Sequence, residues 1–449
     1  MRERRPFTLP SGPALAFRLA YVAVIILATM AEPGTSTGTG VSQRLERALA
    51  TEVTGRDVVD AVRNVLLFAG WGAVWIASSP LGPAKPMLAR ATLTGAALSG
   101  AVETIQLLSP TRVASILDLI TNTAGAFVGA LGVAVLILVA RAGLGRRSYL
   151  GMPAVLLAFG YICATFLEAF SPFFRQERLD GAWGSPVARL GAAFAQFEWS
   201  SIAAIPWLDL LLFAPAGILG VAALVELGMP RGAAGLRALI ATSALYGMAE
   251  LARGAAGYPI LLGPLFAHVT GAALGIWMAA RWLPAFSRRL RGRTRPAAVF
   301  GVYLALVALW ILRPLVPEVD FATMTDKLTL ARFIPLMAYR ERMDVFTAAD
   351  VAIPAFLLMP AGALLAVWPL RLRGWLSGVM PAILAATALE VGQIVVVGRL
   401  FDVTDILVAG AAAMLGWIVL RRAGYMPHGE VLPAGVRTHT PHSERRRTT

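Results

Sequence analysis

The chain is poor in cysteine and in charge. Cys163 is its single cysteine, within an apolar run, and only 15% of the 449 residues are charged. One thiol excludes an internal disulfide and a cysteine-based metal site. Hydrophobic residues make up 57% of the chain and the mean hydropathy is +0.68. A water-soluble domain of this length does not have that balance, so the composition predicts a polytopic membrane protein.

Lysine is almost absent, because Lys85 and Lys327 are the only two. Arginine therefore supplies most of the formal net charge of +14. The basic residues cluster in short connections between apolar runs and form no stripe interleaved with aromatics, which argues against a nucleic-acid partner. The three histidines of the basic tail are expected in a solvated segment, and we predict neither a metal nor a cofactor.

About twelve apolar runs are long enough to predict transmembrane helices, so the expected fold is an all-α membrane protein. The first run follows the basic stretch MRERRPF. That order is also typical of a signal peptide, but the run is long enough to span and we interpret it as the first helix. The runs lie near residues 13–31, 62–79, 86–108, 114–140, 150–170, 206–227, 234–252, 259–280, 297–313, 350–369, 374–397 and 402–420.

The runs fall into three sets of four, each with a long polar connection after its first helix. The segments NVLLFAGWG, DLLLFAPAG and PAFLLMPAG align without gaps, and their last glycines, Gly72, Gly217 and Gly362, are equally spaced. Four helices per unit predict three parallel repeats. The predicted units are residues 1–148, 149–296 (a degenerate copy) and 297–424, followed by a disordered basic tail at 425–449.

A polar motif occurs twice, in ETIQLLSPTRVASILDLITNTAGAFVG and in EVGQIVVVGRLFDVTDILVAGAAAMLG. The middle copy keeps Glu250 and two glycines but lacks the Gln, Arg and Asp, and it has His268 where the first copy has Asn122. We expect His268 to form a hydrogen bond between helices. The candidate ligand-binding residues are Glu103, Gln106, Arg112, Asp118 and Asn122, with Asn64 upstream, and Glu390, Gln393, Arg399 and Asp405.

Helical spacing places Asp118, Asn122, Gly125 and Gly129 on one face of the fourth helix. Small residues allow another helix to approach closely. We expect that neighbour to be the third helix, because only a short connection joins the two. Asn64 precedes a Phe-x3-Gly pattern and could bond a neighbouring helix or contribute to a site.

The short connections rich in arginine predict that both termini are cytoplasmic and that the polar motifs face outward. Two interpretations of the motif remain open. It is either an internal ion-pair network, with Arg112 between Glu103 and Asp118, or a binding site, because ionisable groups near a membrane are costly and mark function.

The order Glu-x2-Gln-x5-Arg, then Asp, Asn and a ladder of small residues, preceded by Asn-x3-Phe-x3-Gly, resembles the VanZ-like family of bacterial membrane proteins. The segment RFIPLMAY, residues 332–339, is similar to the loop after that family's first helix. The resemblance implies a cell-envelope protein of the cytoplasmic membrane. The family's namesake is associated with low-level teicoplanin resistance, and no reaction is established for the family.

Three functions are compatible with these features. The first is binding of an anionic amphiphile, such as a membrane lipid, a lipid-linked envelope precursor or a glycopeptide-type molecule, with Arg112 and Arg399 on its phosphate or carboxylate. The second is an intramembrane enzyme acting on a lipid-linked phosphate, although no catalytic residue can be named. The third is a transporter, suggested by Glu168 and Glu250 within apolar segments.

Overall fold

In the computed structural model, the described residues form sixteen helices. These residues contain no β-strand, and they form one isolated β-bridge. The described residues are 9, 11–30, 40–49, 55–80, 82–109, 114–143, 149–150, 153–170, 185–195, 207–255, 257–290, 294–335, 337, 345–367 and 376–424. The helices are α1 (Ser11–Met30), α2 (Val41–Ala48), α3 (Gly55–Ser78), α4 (Ala84–Leu108), α5 (Ile116–Gly143), α6 (Ala154–Phe170), α7 (Pro186–Ala195), α8 (Trp207–Glu226), α9 (Arg231–Ala255), α10 (Leu262–Arg289), α11 (Thr294–Ile311), α12 (Phe321–Asp326), α13 (Leu330–Phe333), α14 (Val345–Val367), α15 (Leu376–Ile394) and α16 (Val403–Arg422).

Each of the twelve predicted runs coincides with a helix, which confirms the all-α membrane fold. Six helices in the described part of the chain, α1, α3, α5, α10, α11 and α16, are long and apolar enough to cross a membrane, and four more are shorter and apolar. The sequence did not predict the four short helices α2, α7, α12 and α13, which follow the first long helix of each set. We call the long helices the first set (α1, α3, α4, α5), the middle set (α6, α8, α9, α10) and the last set (α11, α14, α15, α16).

The second and fourth helices cross at glycine in all three sets. A Cβ built on Gly72 of α3 would collide with the Ala126 carbonyl of α5, and one built on Gly129 would collide with the Ala69 carbonyl of α3. Backbones can approach this closely only where a side chain is missing. The same reciprocal contacts join Gly217 to Ala272, Gly275 to Ala214, Gly362 to Ala413 and Gly416 to Met359.

This crossing corrects the expected neighbour of the glycine face. Gly125 and Gly129 face α3, the second helix, and not α4, whereas Asn122 on the same helix does face α4. The short connection between α4 and α5 makes those helices adjacent, and Gly95 of α4 does lie against Ala126, but the closest backbone approach is to α3. There Gly72 of α3 and Gly129 of α5 each face a backbone carbonyl of the other helix.

A tyrosine from the first helix of each set bonds to the second helix at an equivalent carbonyl. The Tyr161 hydroxyl donates to the Leu212 carbonyl at 2.7 Å. The acceptor lies five residues before the crossing glycine, as it does in the other two sets. The equivalent bonds are Tyr21 to Leu67, at 2.8 Å, and Tyr303 to Leu357, at 2.6 Å.

The largest core forms where α6 contacts the other sets. Tyr161 packs edge-on against Trp310 of α11 at 5.5 Å between ring centroids, and Gly160 lies against Pro360 of α14. The first and last sets meet at the end of α3. There Arg422, the last residue of α16, is fully buried and donates from Nη1 to the Ile76 carbonyl at 2.5 Å and from Nη2 to that of Ser79.

Candidate functional site

Two side chains of the first set's motif join neighbouring helices. The Asn64 amide on α3 donates to the Asp118 carboxylate in the first turn of α5, at 2.8 Å. Asn122 is buried one turn further along, and its amide donates to the Ser99 hydroxyl of α4 at 2.9 Å. Asp118 and Asn122 therefore hold α5 against α3 and α4 respectively.

Glu103 bonds to the backbone that opens the next helix. Its Oε2 accepts from the backbone N–H of Ser115, the residue just before α5, at 2.8 Å. Gln106 donates instead to the Thr29 carbonyl near the end of α1, at 3.2 Å. Arg112, the predicted centre of the ion-pair network, lies outside the described residues.

The last set repeats the contact of Glu103 with deeper burial. Glu390 Oε2 accepts from the backbone N–H of Asp402, the N-cap of α16, at 3.1 Å. The amide of Gln393 donates to the other carboxylate oxygen at 2.5 Å. Asp405 lies in the first turn of α16, and Ala409, at the position of Asn122, is buried.

The middle set has the same contact, although it lacks most of the motif. Glu250 Oε2 accepts from the backbone N–H of Leu261, the N-cap of α10, at 3.1 Å. Arg253 takes the position of Gln106 and Gln393, and its Nη1 lies 2.7 Å from Glu250 Oε1. Sequence comparison missed Arg253, although its place three residues after the glutamate on one helical face could have indicated the pair.

These three contacts, Glu103 to Ser115, Glu250 to Leu261 and Glu390 to Asp402, are named here the carboxylate clamp. The first N–H groups of a helix have no partner within it, and the helix dipole favours negative charge there. The clamp places a carboxylate from the third helix at the start of the fourth. The glutamates of the motif thus have a structural role in every set, and we call this end of the bundle the clamp end.

His268 does not form the expected hydrogen bond between helices through Nδ1, which is buried without a partner. Its ring stacks on Phe213 of α8, with centroids 3.8 Å apart and planes 11° from parallel. Tyr246 of α9 packs edge-on against it at 5.6 Å. The aromatic pocket replaces the polar contact of Asn122 with Ser99, because Tyr246 stands where the first set has Ser99.

Arg399 connects the last set's motif to another helix. Its Nε donates to the Arg313 carbonyl at 2.5 Å, just beyond the end of α11. Arg313 in turn forms an ion pair with Glu168 of α6, at 2.9 Å. Glu168 and Glu250, whose apolar setting suggested transport, therefore both face an arginine.

A pocket of about 350 Å³ opens beside Arg399. Lys327 closes one side, with Nζ donating to the Ile394 and Val396 carbonyls at 3.0 and 2.8 Å, so this ammonium also fixes the connection between α15 and α16. The pocket is lined by Glu318, Thr323, Asp326, Lys327, Gly398, Arg399 and Leu400. It offers one arginine together with two carboxylates and a hydroxyl, because the buried ammonium of Lys327 is also paired with Glu318 at 3.7 Å.

Asp320 fixes the short helix that contributes to this pocket. Its carboxylate accepts from the Thr323 hydroxyl at 2.6 Å and from the backbone N–H groups of Ala322 and Thr323 at 3.1 and 3.2 Å. These hydrogen bonds, the Thr323 hydroxyl first, lower the pKa of Asp320 below its usual value. Among the residues whose positions are described, no group of three or more His, Cys, Asp or Glu side chains could hold a metal ion.

The first and last sets match a known family. The VanZ/LLP1 family model matches residues 16–139 and again residues 300–424, together more than half of the chain. No curated protein and no solved structure matches the chain. The two matches contain both copies of the polar motif and two of the three carboxylate clamps. The chain therefore belongs to the VanZ/LLP1 family, as an all-α membrane protein that carries the family's domain twice.

Proposed function

We propose that this protein binds the anionic headgroup of an amphiphile at the clamp end of its last set, with Arg399 as the main contact. The observation that carries the proposal is the pocket of about 350 Å³ that Arg399 lines beside Lys327. Arginine is suited to this role because its planar guanidinium forms paired hydrogen bonds with phosphate or carboxylate.

The other side chains of the pocket favour a headgroup that also has hydroxyls. Glu318 and Asp326 are acceptors, and Thr323 Oγ1 is an acceptor as well, because its own proton is donated to Asp320. A phosphate attached to a sugar satisfies both kinds of group. We therefore propose a lipid-linked envelope precursor, with a glycopeptide-type molecule or a simple anionic lipid as the alternative outcomes of the test.

We assign Arg112 the same role in the first set, because the motif aligns it with Arg399. Five of the other predicted residues divide into two groups. Glu103 and Glu390 belong to the carboxylate clamp, and Asn64, Asp118 and Asn122 join helices. In this proposal they shape the site, whereas the arginines contact the ligand.

The test compares wild type with the double variant Arg112→Ala/Arg399→Ala, purified in mild detergent. Mass spectrometry identifies the lipids that co-purify, and a melting curve reports folding. Undecaprenyl phosphate and phosphatidylglycerol are then added back as defined probes. Arg90→Ala is the matched control. Arg90 is an exposed arginine near the start of α4, at the end of that helix away from the clamp.

The proposal predicts that the double variant loses a specific anionic lipid and binds the added probes several-fold more weakly. Its melting temperature should fall only modestly, through the lost hydrogen bond from Arg399 to the Arg313 carbonyl. Arg399→Lys should be impaired as well, since an ammonium cannot form the paired contact. An unchanged lipid profile with a much lower melting temperature would instead assign the arginines to structure. That result would contradict the proposal.

We further propose that residues 149–296 are a third, degenerate unit. Support comes from the middle set's own clamp, glycine crossing and tyrosine bond, at Glu250, Gly217 and Tyr161. Three four-helix units put both termini on one side, and the arginine-rich connections make that side cytoplasmic in a bacterial inner membrane. A fluorescent fusion after residue 424 should therefore fluoresce in the cytoplasm, whereas an alkaline phosphatase fusion there should be inactive.

A further inference from the structure

We infer that the short helices α2, α7 and α12–α13 lie in the lipid headgroup region at the clamp end, each with an apolar face towards the acyl chains. Each follows the first long helix of its set. This inference concerns the membrane surface as a partner, and it does not depend on the ligand proposed above.

Contacts hold all three elements at the clamp end. Arg189 of α7 donates from Nε to the Ala255 carbonyl at the end of α9, at 2.6 Å. Arg332 of α13 lies 3.8 Å from Asp402, the N-cap of α16. α2 packs against α4 and follows α1, whose final turn accepts the bond from Gln106.

Helix α2 separates its exposed residues by polarity. Val41 and Leu45 lie one turn apart on one face, Leu49 continues it just after the helix, and Leu45 is 47% exposed. Ser42 and Glu46, which are also exposed, lie on the adjacent face. A helix with an apolar and a polar face at a bundle end lies in the plane of the membrane boundary.

The other two elements expose larger apolar groups. On α7, Val187 is 78% exposed, whereas Leu190 on the inner face packs against Gly254. Phe321 of α12 and Leu330 of α13 are 77% and 78% exposed. Water contact at so many large apolar side chains costs about 25 cal/mol for each Å² of apolar surface.

A lipid surface fits this arrangement better than a protein partner does. The three apolar faces belong to three separate connections at the same end of the bundle, where spanning helices leave the hydrocarbon. A bilayer boundary is one continuous surface that can meet all three faces and leave the polar residues of α2 in water. A protein would need three separate complementary surfaces.

The test uses single cysteines in a Cys163→Ser background, in vesicles of phosphatidylethanolamine and phosphatidylglycerol. Leu45→Cys and Phe321→Cys report the apolar faces. Ser42→Cys and Asp326→Cys are matched controls, because both are exposed polar positions on the same helices. A nitroxide label at each site is measured for collision with oxygen, which concentrates in lipid, and with a water-soluble nickel chelate.

The inference predicts that labels at Leu45 and Phe321 collide several-fold less with the chelate than their controls do, while oxygen reaches them freely. Equal chelate access within each pair would overturn it. Labels closed to both reagents would also overturn it, since a protein surface would then cover these faces. Val187→Cys gives an independent reading on α7, and an unchanged melting temperature shows that each variant is folded.

Discussion

Arg253 Nη1 lies 2.7 and 2.9 Å from the two carboxylate oxygens of Glu250, and both side chains are buried. The first and last sets have glutamine at this position. The same carboxylate accepts from the backbone N–H of Leu261. The middle set therefore holds its clamp with an ion pair where the last set uses the neutral amide of Gln393.

Removing the arginine should destabilise the protein strongly. Arg253→Ala leaves Glu250 as a buried carboxylate without its cation, a change that typically costs about 3 to 5 kcal/mol. Arg253→Gln should cost less, because it recreates the pair of Gln393 with Glu390. Thermal melting in detergent ranks the variants, and equal melting of Arg253→Ala and wild type would contradict the prediction.

A second prediction concerns the carboxylate clamp of the last set. Glu390→Ala leaves the buried N–H of Asp402 without an acceptor, which costs about 1 to 3 kcal/mol. Glu390→Gln keeps a carbonyl oxygen at that place and should lose less. Hydrogen exchange of the peptide that spans Asp402 should be faster in the alanine variant. Val391→Ala, at the exposed neighbouring residue, serves as the control and should leave that exchange rate unchanged.

The sequence predicted the helices well because apolar runs and small-residue ladders are local signals. It found the small-residue faces of α5, α10 and α16 but assigned that of α5 to the wrong neighbour. Periodicity shows which residues share a face and not which helix opposes them. The opposing helix became clear only when Gly72, Gly217 and Gly362 were found against the fourth helices.

The candidate site was only partly predictable for a similar reason. Glu103 and Glu390 were recognised, but their acceptor role involves backbone N–H groups, which leave no trace in residue identity. The pocket beside Arg399 combines the connection after α11 with that between α15 and α16. Those two stretches are far apart in the chain, and no shared period relates them.

A third prediction concerns the glycines at which the second and fourth helices cross. Gly129→Ala and Gly416→Ala would each place a methyl group against a backbone carbonyl of the second helix. Forcing extra volume into a close-packed contact typically costs about 1 to 3 kcal/mol. The melting temperature should fall for both variants.

Gly132 is the matched control for that prediction. It lies on α5 with nothing within 4 Å of a built Cβ. Alanine there should be neutral or stabilise the helix by up to about 1 kcal/mol, because glycine is the poorer helix former. A Gly132→Ala variant as unstable as Gly129→Ala would show that the loss does not arise at the crossing.

Arg422 supports the last prediction, on the contact between the first and last sets. The final carbonyls of a helix have no partner within it and attract positive charge. Arg422 reaches one of them, that of Ile76 in α3, and also the carbonyl of Ser79, the residue just after α3. Lysine cannot span both acceptors as a guanidinium fork does.

Arg422→Lys should therefore lower the melting temperature, and Arg422→Met should lower it further by leaving both carbonyls without the arginine. A hydrogen bond to a charged group contributes about 1.5 to 3 kcal/mol. The adjacent Arg421→Lys is the control, because Arg421 is only partly buried and packs over the Trp417 ring at 5.5 Å. If the contact joins the two sets, only the Arg422 variants should also become susceptible to proteolysis around Ser79, and equal susceptibility of the Arg421 variant would refute that role.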